Sequence, residues 1–194
     1  MRERGIRVNV LTPDQVATAK QEELFDEQTR NAFESLIPRG NMGRPEEIVI
    51  MALLYDGVVP VVAEYGEALA GKVIVDISNP FNATFDGLAH SVETSIAQEI
   101  AKVAPASASV VKAFNTIFRN VLESGRPDVF MAADSAPAKA GVAAFVESLG
   151  LHPLDVGGLK MAHWLEGMGL VTVSLAGNGV GHWNFALGVH EFTH

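Results

Sequence analysis

Two short turns carry the groups in this chain best suited to holding a flat heterocyclic ring: Ser78-Asn79-Pro80-Phe81 and Asn115-Thr116. Each follows an apolar, β-branched run, Val73-Ile74-Val75-Asp76-Ile77 in the first case and Val110-Val111-Lys112-Ala113-Phe114 in the second. Such runs read as buried strands. In an open α/β sheet, ligands sit in the crevice beyond the carboxyl ends of the strands. Amide and hydroxyl groups at that edge could bind a nicotinamide or similar ring. The structural alternative stands beside it, since Asn-Pro ends a strand in any protein and Asn-Thr caps helices. Asp76, inside its strand, reads as a satisfied structural carboxylate and not as a catalyst.

A second motif is His190-Glu191-Phe192-Thr193-His194, a literal H-E-x-x-H. On a helix, that spacing puts two imidazoles on one face for zinc with the glutamate as base. Here it occupies the last five positions, where helices fray, and no third ligand suggests itself. A zinc hydrolase is therefore the least favoured reading, and no metal ligand and no catalytic residue is assigned.

The elements that would position the two turns alternate along the chain. Ile6–Leu11 reads as a strand closed by Thr12-Pro13, and Gln21–Leu36 as a helix with a rough apolar face. Pro38, Gly40, Gly43 and Pro45 then break the chain. Ile48–Leu54 suits a buried strand or, after Pro45-Glu46-Glu47, a helix; its β-branched start favours the strand. Beyond it the reading is helix over Val58–Ala70, strand over Val73–Ile77, helix over Val92–Ala104 and strand over Ser109–Phe114. A short helix at Phe118–Ser124, a strand at Val129–Ala132, a helix at Ala136–Leu149 and a strand at His152–Val156 follow. The apolar helix Met161–Leu175 and a turn at Asn178–Gly181 complete the series. Alternating strands and helices mean βαβ units. The expected fold is α/β, an incomplete Rossmann-like, mostly parallel sheet with flanking helices and a C-terminal helical segment.

Composition bounds the partners. The 194 residues include 48% apolar and 19% charged types, the balance of an ordered globular chain. A net charge of -9 disfavours nucleic acid, because no basic stripe exists to displace counterions. The absence of cysteine removes disulfides, thiolate metal sites and thiol nucleophiles, and fits a reducing cytoplasm. No apolar run spans a bilayer, and no signal region follows Met1-Arg2-Glu3-Arg4, so a cytoplasmic protein with no membrane partner is expected. Of the chain's 14 basic and 23 acidic residues, 7 and 9 lie within positions 1–47. That shift marks an expected boundary between a 1–47 appendage and a 48–194 domain.

From Ile48 onward the chain resembles the NADPH-dependent coenzyme F420 reductase family. The resemblance rests on Ile48-Val49-Ile50-Met51-Ala52-Leu53-Leu54-Tyr55-Asp56, on Leu69–Pro80 and on Val111-Lys112-Ala113-Phe114-Asn115-Thr116, with Asp128–Asp134 and Leu154–Gly157 extending it. It implies hydride transfer between NADP(H) and a deazaflavin such as coenzyme F420, with no protein acid, base or metal in the chemistry. The ring-contacting positions it implies are Tyr55, Asn79, Pro80, Phe81, Asn115 and Thr116; Leu54 stands where the family has Pro in a Pro-Tyr-Asp turn. Met161, His163, Trp164 and Met168 would line the deazaflavin side, or belong to the core. Residues 1–44 resemble instead the tail of a short-chain dehydrogenase, through Gly5–Pro13 and Ile37–Glu47. That family's Tyr-x-x-x-Lys is absent, because Val59 and Leu69 stand four residues after the two tyrosines, Tyr55 and Tyr65. The G-x-G-x-x-G turn that opens a dinucleotide site occurs nowhere in the sequence. An NADP-dependent oxidoreductase, paired as a homodimer and acting on a small-molecule acceptor, is thus the leading expectation. A non-catalytic remnant or binding module of the same fold is the alternative.

Overall fold

Short β-branched runs such as Ile48–Met51 and Val73–Asp76 become strands of one sheet, each alternating its side chains between two cores. A computed structural model of the chain describes residues 8–11 and 48–192. The strands are β1 (Val8–Leu11), β2 (Ile48–Met51), β3 (Val73–Asp76), β4 (Ser109–Lys112), β5 (Asp128–Ala132) and β6 (His152–Gly157). Val49, Met51, Ile74, Val110, Phe130 and Ala132 enter the core on one face, while Ile48, Val75, Val111, Val129 and Met131 enter the core on the other. Ile48–Met51 is therefore a strand, as its β-branched start favoured. The helix expected over Gln21–Leu36, with most of the 1–47 segment, lies outside the described residues.

Strand order follows the sequence, β1 through β6. β1 to β4 are parallel neighbours, and β5 and β6 are parallel to each other. Between the two groups β4 meets β5 antiparallel, through the single pair Lys112 and Ala132. The sheet is mixed and mostly parallel. β1 lies beside β2 in register Val8 to Ile48, so the N-terminal strand extends the sheet of its own chain.

Helices α1 (Tyr55–Tyr65) and α2 (Ile96–Val103) lie on one face. The helix expected over Val58–Ala70 divides, because Gly66 turns to φ 45° and a 3-10 turn, Gly66–Leu69, takes over. The start expected at Val92 moves to Ile96 because Ser95 caps the helix, accepting a hydrogen bond from the Gln98 amide at 3.2 Å. Ser-x-x-Gln is a capping-box pattern, which fixes the first turn. Short α3 (Arg119–Ser124) joins β4 to β5. α4 (Ala136–Ser148) covers the opposite face through Val142, Phe145 and Val146. α5 (Ala162–Gly177) returns to the first face, burying Ala162, Leu165, Glu166, Gly169, Thr172 and Ala176, a single stripe at helical spacing. Among the described residues no helix is long and apolar enough to cross a membrane.

The segment after α5 is tied back by Asp128, whose Oδ2 accepts the Val189 amide at 2.7 Å while Oδ1 meets His152 Nδ1 at 2.8 Å. Residues 184–192 form neither helix nor strand, so His190 and Glu191 lack the helical face that H-E-x-x-H requires; Thr193 and His194 lie outside the described residues. Burial pulls the Asp128 carboxyl up, but the Val189 amide and His152 outweigh it, and the group rests below its ordinary value. A lowered folded value means stability that is present above the unfolded carboxylate range and lost as pH falls through the folded value. Acid titration below about pH 4 is expected to remove this component in the parent. An Asp128→Asn variant should show a shallower acid limb in denaturation midpoints; an unchanged limb would show that the tether carries none of it.

Candidate functional site

The parallel register places Met51, Asp76 and Lys112 side by side at the carboxyl ends of β2, β3 and β4. The three connections that leave this edge carry the residues singled out in the sequence. Tyr55 opens α1 and packs, half-buried, on the core around Val49 and Val58. Asn79 and buried Pro80 follow β3, and Phe81 stands half-buried with its ring 5.8 Å from that of Phe85. Asn115 and Thr116 follow β4, both buried. The strand expected to reach Phe114 stops at Lys112, because Phe114 adopts φ 62° and turns the chain toward the edge.

Asn79 and Asn115 are brought together across 36 positions of sequence. Asn79 Nδ2 donates to the Asn115 carbonyl at 2.7 Å, and Asn115 Nδ2 returns a bond to Asn79 Oδ1 at 2.9 Å. Asn115 Nδ2 also donates to the Leu165 carbonyl of α5 at 2.8 Å. A carbonyl only accepts, so these contacts fix which way the Asn115 amide faces. Asn115 Oδ1 is left buried without a hydrogen-bond partner. A buried acceptor in that state costs on the order of 1–3 kcal/mol, so a donor supplied at this point would gain that much.

α5 approaches this pair closely only because position 169 is glycine. A Cβ there would lie 2.7 Å from Asn79 Oδ1 and 3.1 Å from its Nδ2. Alanine in mid-helix gains about 1 kcal/mol over glycine, whereas overpacking costs about 1–3 kcal/mol. Gly169→Ala is therefore expected to lose up to about 2 kcal/mol net in urea denaturation. A stabilised variant would mean that Asn79 swings aside freely.

Beneath the turns lies a charge cluster that the sequence reading missed apart from Asp76. Lys112, fully buried, donates from Nζ to Asp76 Oδ2 at 2.8 Å, to Glu166 Oε1 at 3.0 Å and to the Ser78 carbonyl. Asp76 Oδ1 accepts from the Ser78 amide at 2.9 Å and from its hydroxyl at 2.7 Å. Asp76 is thus the satisfied structural carboxylate expected, and it shapes the turn that presents Asn79. Glu166 Oε1 accepts from the Ile96 amide at 3.0 Å, and Oε2 faces His90 Nε2 at 2.7 Å. Two signals could have found this cluster: a lysine in a buried strand at the position paired with Asp76, and a single charged residue in the otherwise uncharged α5.

The residues suggested for a deazaflavin face divide. Met168 packs on the core, His163 is half-buried with Nδ1 3.1 Å from the Thr94 carbonyl, and Met161 and Trp164 are exposed.

No family model matches the chain. Metalloreductase STEAP3 of Rattus norvegicus is 38% identical over 100 residues, covering 50% of this chain and 20% of the relative. The chain thus spans about a fifth of the length of that curated relative. Among solved structures, a candidate F420-dependent NADP reductase from Arthrobacter sp. FB24 is 29% identical with TM-score 0.69, covering 76% of this chain and 71% of that one. A hypothetical protein from Sinorhizobium meliloti is 28% identical with TM-score 0.53, covering 58% and 57%. A reductive aminase from Aspergillus terreus, in complex with NADPH and ethyl levulinate, is 15% identical with TM-score 0.53 over 77% of this chain and 51% of that one, and speaks for the fold alone. The resemblance to F420-dependent reductases read in the sequence therefore has a structural counterpart, and the fold is Rossmann-like with a C-terminal helix.

Proposed function

We propose that the chain is an NADP(H)-dependent oxidoreductase whose ring site lies at the carboxyl edge of β3 and β4, with a deazaflavin such as coenzyme F420 or a similar small molecule as acceptor. The observation that carries this reading is the interlocked Asn79–Asn115 pair with its unpartnered Asn115 Oδ1. A primary carboxamide of the nicotinamide type offers the N–H donor that this oxygen lacks. The likeness to the Arthrobacter reductase supports it. When bound, NADP(H) supplies or accepts the hydride; the protein's part is orientation and exclusion of water. In this reading Asn115 and Thr116 hold one edge of the ring, Asn79, Pro80 and Phe81 the other, and Tyr55 closes the β2 side.

The ring end fits this cofactor, and the phosphate end does not fit in the usual way. No G-x-G-x-x-G occurs in the sequence, and β1 is followed by Thr12-Pro13 in place of a glycine turn. Oriented amides at a helix N-terminus are what normally hold a pyrophosphate. That absence favours the second reading, a non-catalytic remnant or binding module of the same fold that is stable but does not hold NADP. The 1–47 segment is taken as a short-chain-dehydrogenase-like appendage to the 48–194 domain, and a cytoplasmic homodimer as the working form. Light scattering that gives a monomer mass would sink the dimer.

The test is to titrate NADPH, following its fluorescence, and then to add a deazaflavin and follow its absorbance. Saturable binding with absorbance change supports the oxidoreductase. Binding without turnover overturns the oxidoreductase as an enzyme, and no binding at millimolar cofactor supports the non-catalytic remnant.

A further inference from the structure

We propose that His90, His163 and Glu166 form a binding site for a divalent transition-metal ion of the zinc or cobalt type. Their ligand atoms lie within 4.8 Å of one another. Two imidazoles and one carboxylate are a donor set suited to first-row divalent ions, with coordination positions left open for water. The two helical ligands, His163 and Glu166, are three positions apart on α5 and therefore share a face. The third comes from the connection between β3 and α2, so no sequence motif announces the set.

Each side chain is already anchored at the atom that a metal would not use. His90 Nδ1 stands 2.9 Å from the Ser91 carbonyl, and His163 Nδ1 stands 3.1 Å from the Thr94 carbonyl. In the tautomer that donates from Nδ1 to these carbonyls, Nε2 is the nitrogen left for coordination in each ring. Metal-ligating histidines characteristically donate their other ring N–H in this way. Glu166 is likewise held at Oε1 by the Ile96 amide and the Lys112 ammonium, which leaves Oε2 as the ligand.

Charge supplies an independent argument. Among the described residues Asp76 and Glu166 are fully buried carboxylates, and Lys112 is the one buried ammonium between them. His90 Nε2 and Glu166 Oε2 face each other at 2.7 Å, so the nitrogen and the oxygen that would bind the ion already converge on one point. A metal bonded at about 2.1 Å sets its ligands about 3.4 Å apart, so binding would part the two groups by roughly 0.7 Å. His90 lies in the stretch Phe81–Thr94, between β3 and α2, which holds no helix and one isolated bridge, from Phe81 to Leu88.

The experiment is equilibrium dialysis of the full chain against Zn2+, with metal counted by mass spectrometry, repeated with Co2+ for its visible absorption bands. One ion per chain is expected. His90→Ala and His163→Ala should each weaken Zn2+ binding by at least the roughly 10–100-fold that even outer partners of a metal cost, while His190→Ala leaves it unchanged. Weakening below about tenfold, binding lost with His190→Ala, or no stoichiometric ion overturns the proposal. Circular dichroism of each variant separates lost ligation from lost folding, and His163→Gln serves where the alanine variant does not fold. The readout is independent of NADPH, so failure here and failure of the ring site are distinguishable.

Discussion

Lys112→Met is expected to lower the stability of the fold by about 3–5 kcal/mol. Methionine conserves the length of the stem and removes the ammonium. Asp76 and Glu166 then face each other's charge in a region closed to water, with the Ser78 carbonyl also unpartnered. The cost comes from leaving buried carboxylates unpaired, not from the pair having been strongly stabilising. Replacing all three groups, as Asp76→Asn, Lys112→Met and Glu166→Gln together, should therefore recover part of the loss. The exposed pair Arg119–Glu123 gives the contrast: at 92% and 62% side-chain exposure, Arg119→Ala should cost less than about 1 kcal/mol. Urea denaturation of the four proteins decides it. A Lys112→Met loss under about 1 kcal/mol would mean that water reaches the cluster and screens it.

Asn115→Asp should cost about 3 kcal/mol or more and abolish NADPH binding. The side chains are nearly isosteric, so packing is conserved and the effect isolates hydrogen bonding and charge. The Asn115 amide donates to Asn79 Oδ1 and to the Leu165 carbonyl, both acceptors in this arrangement. A carboxylate there would place negative charge against two oxygens at a position only 7% exposed. Three connections lose their common link at once: the turn after β3, the turn after β4 and helix α5. Stability is read from denaturant midpoints and cofactor binding from fluorescence titration in the range where the variant is folded. A variant as stable as the parent would show that Asn79 flips its amide to compensate.

The strands were legible in the sequence because buried parallel strands are short β-branched runs, and Ile48–Met51, Val73–Asp76 and Ser109–Lys112 each present one residue to either core in turn. The turns at Asn79 and Asn115 were legible for the same reason, as the points where those runs stop. Helix ends were less so. The Ser95 cap and the Gly66 turn depend on a single backbone dihedral, and composition over a window averages that signal away. The antiparallel meeting of β4 and β5 was not legible, since β-branched residues suit either direction of pairing.

Sequence alone determined the class of fold, the residues at the edge of the sheet and the absence of a glycine-rich phosphate turn. All of these are local properties of consecutive residues. Only the tertiary structure decided that Asn79 binds Asn115, that Lys112 sits between Asp76 and Glu166, and that His90 joins His163 and Glu166. Those partners stand 36, 54 and 76 positions apart. What links them is the parallel register of the strands and the close approach of α5 that Gly169 permits, and neither is written in any single stretch of the chain.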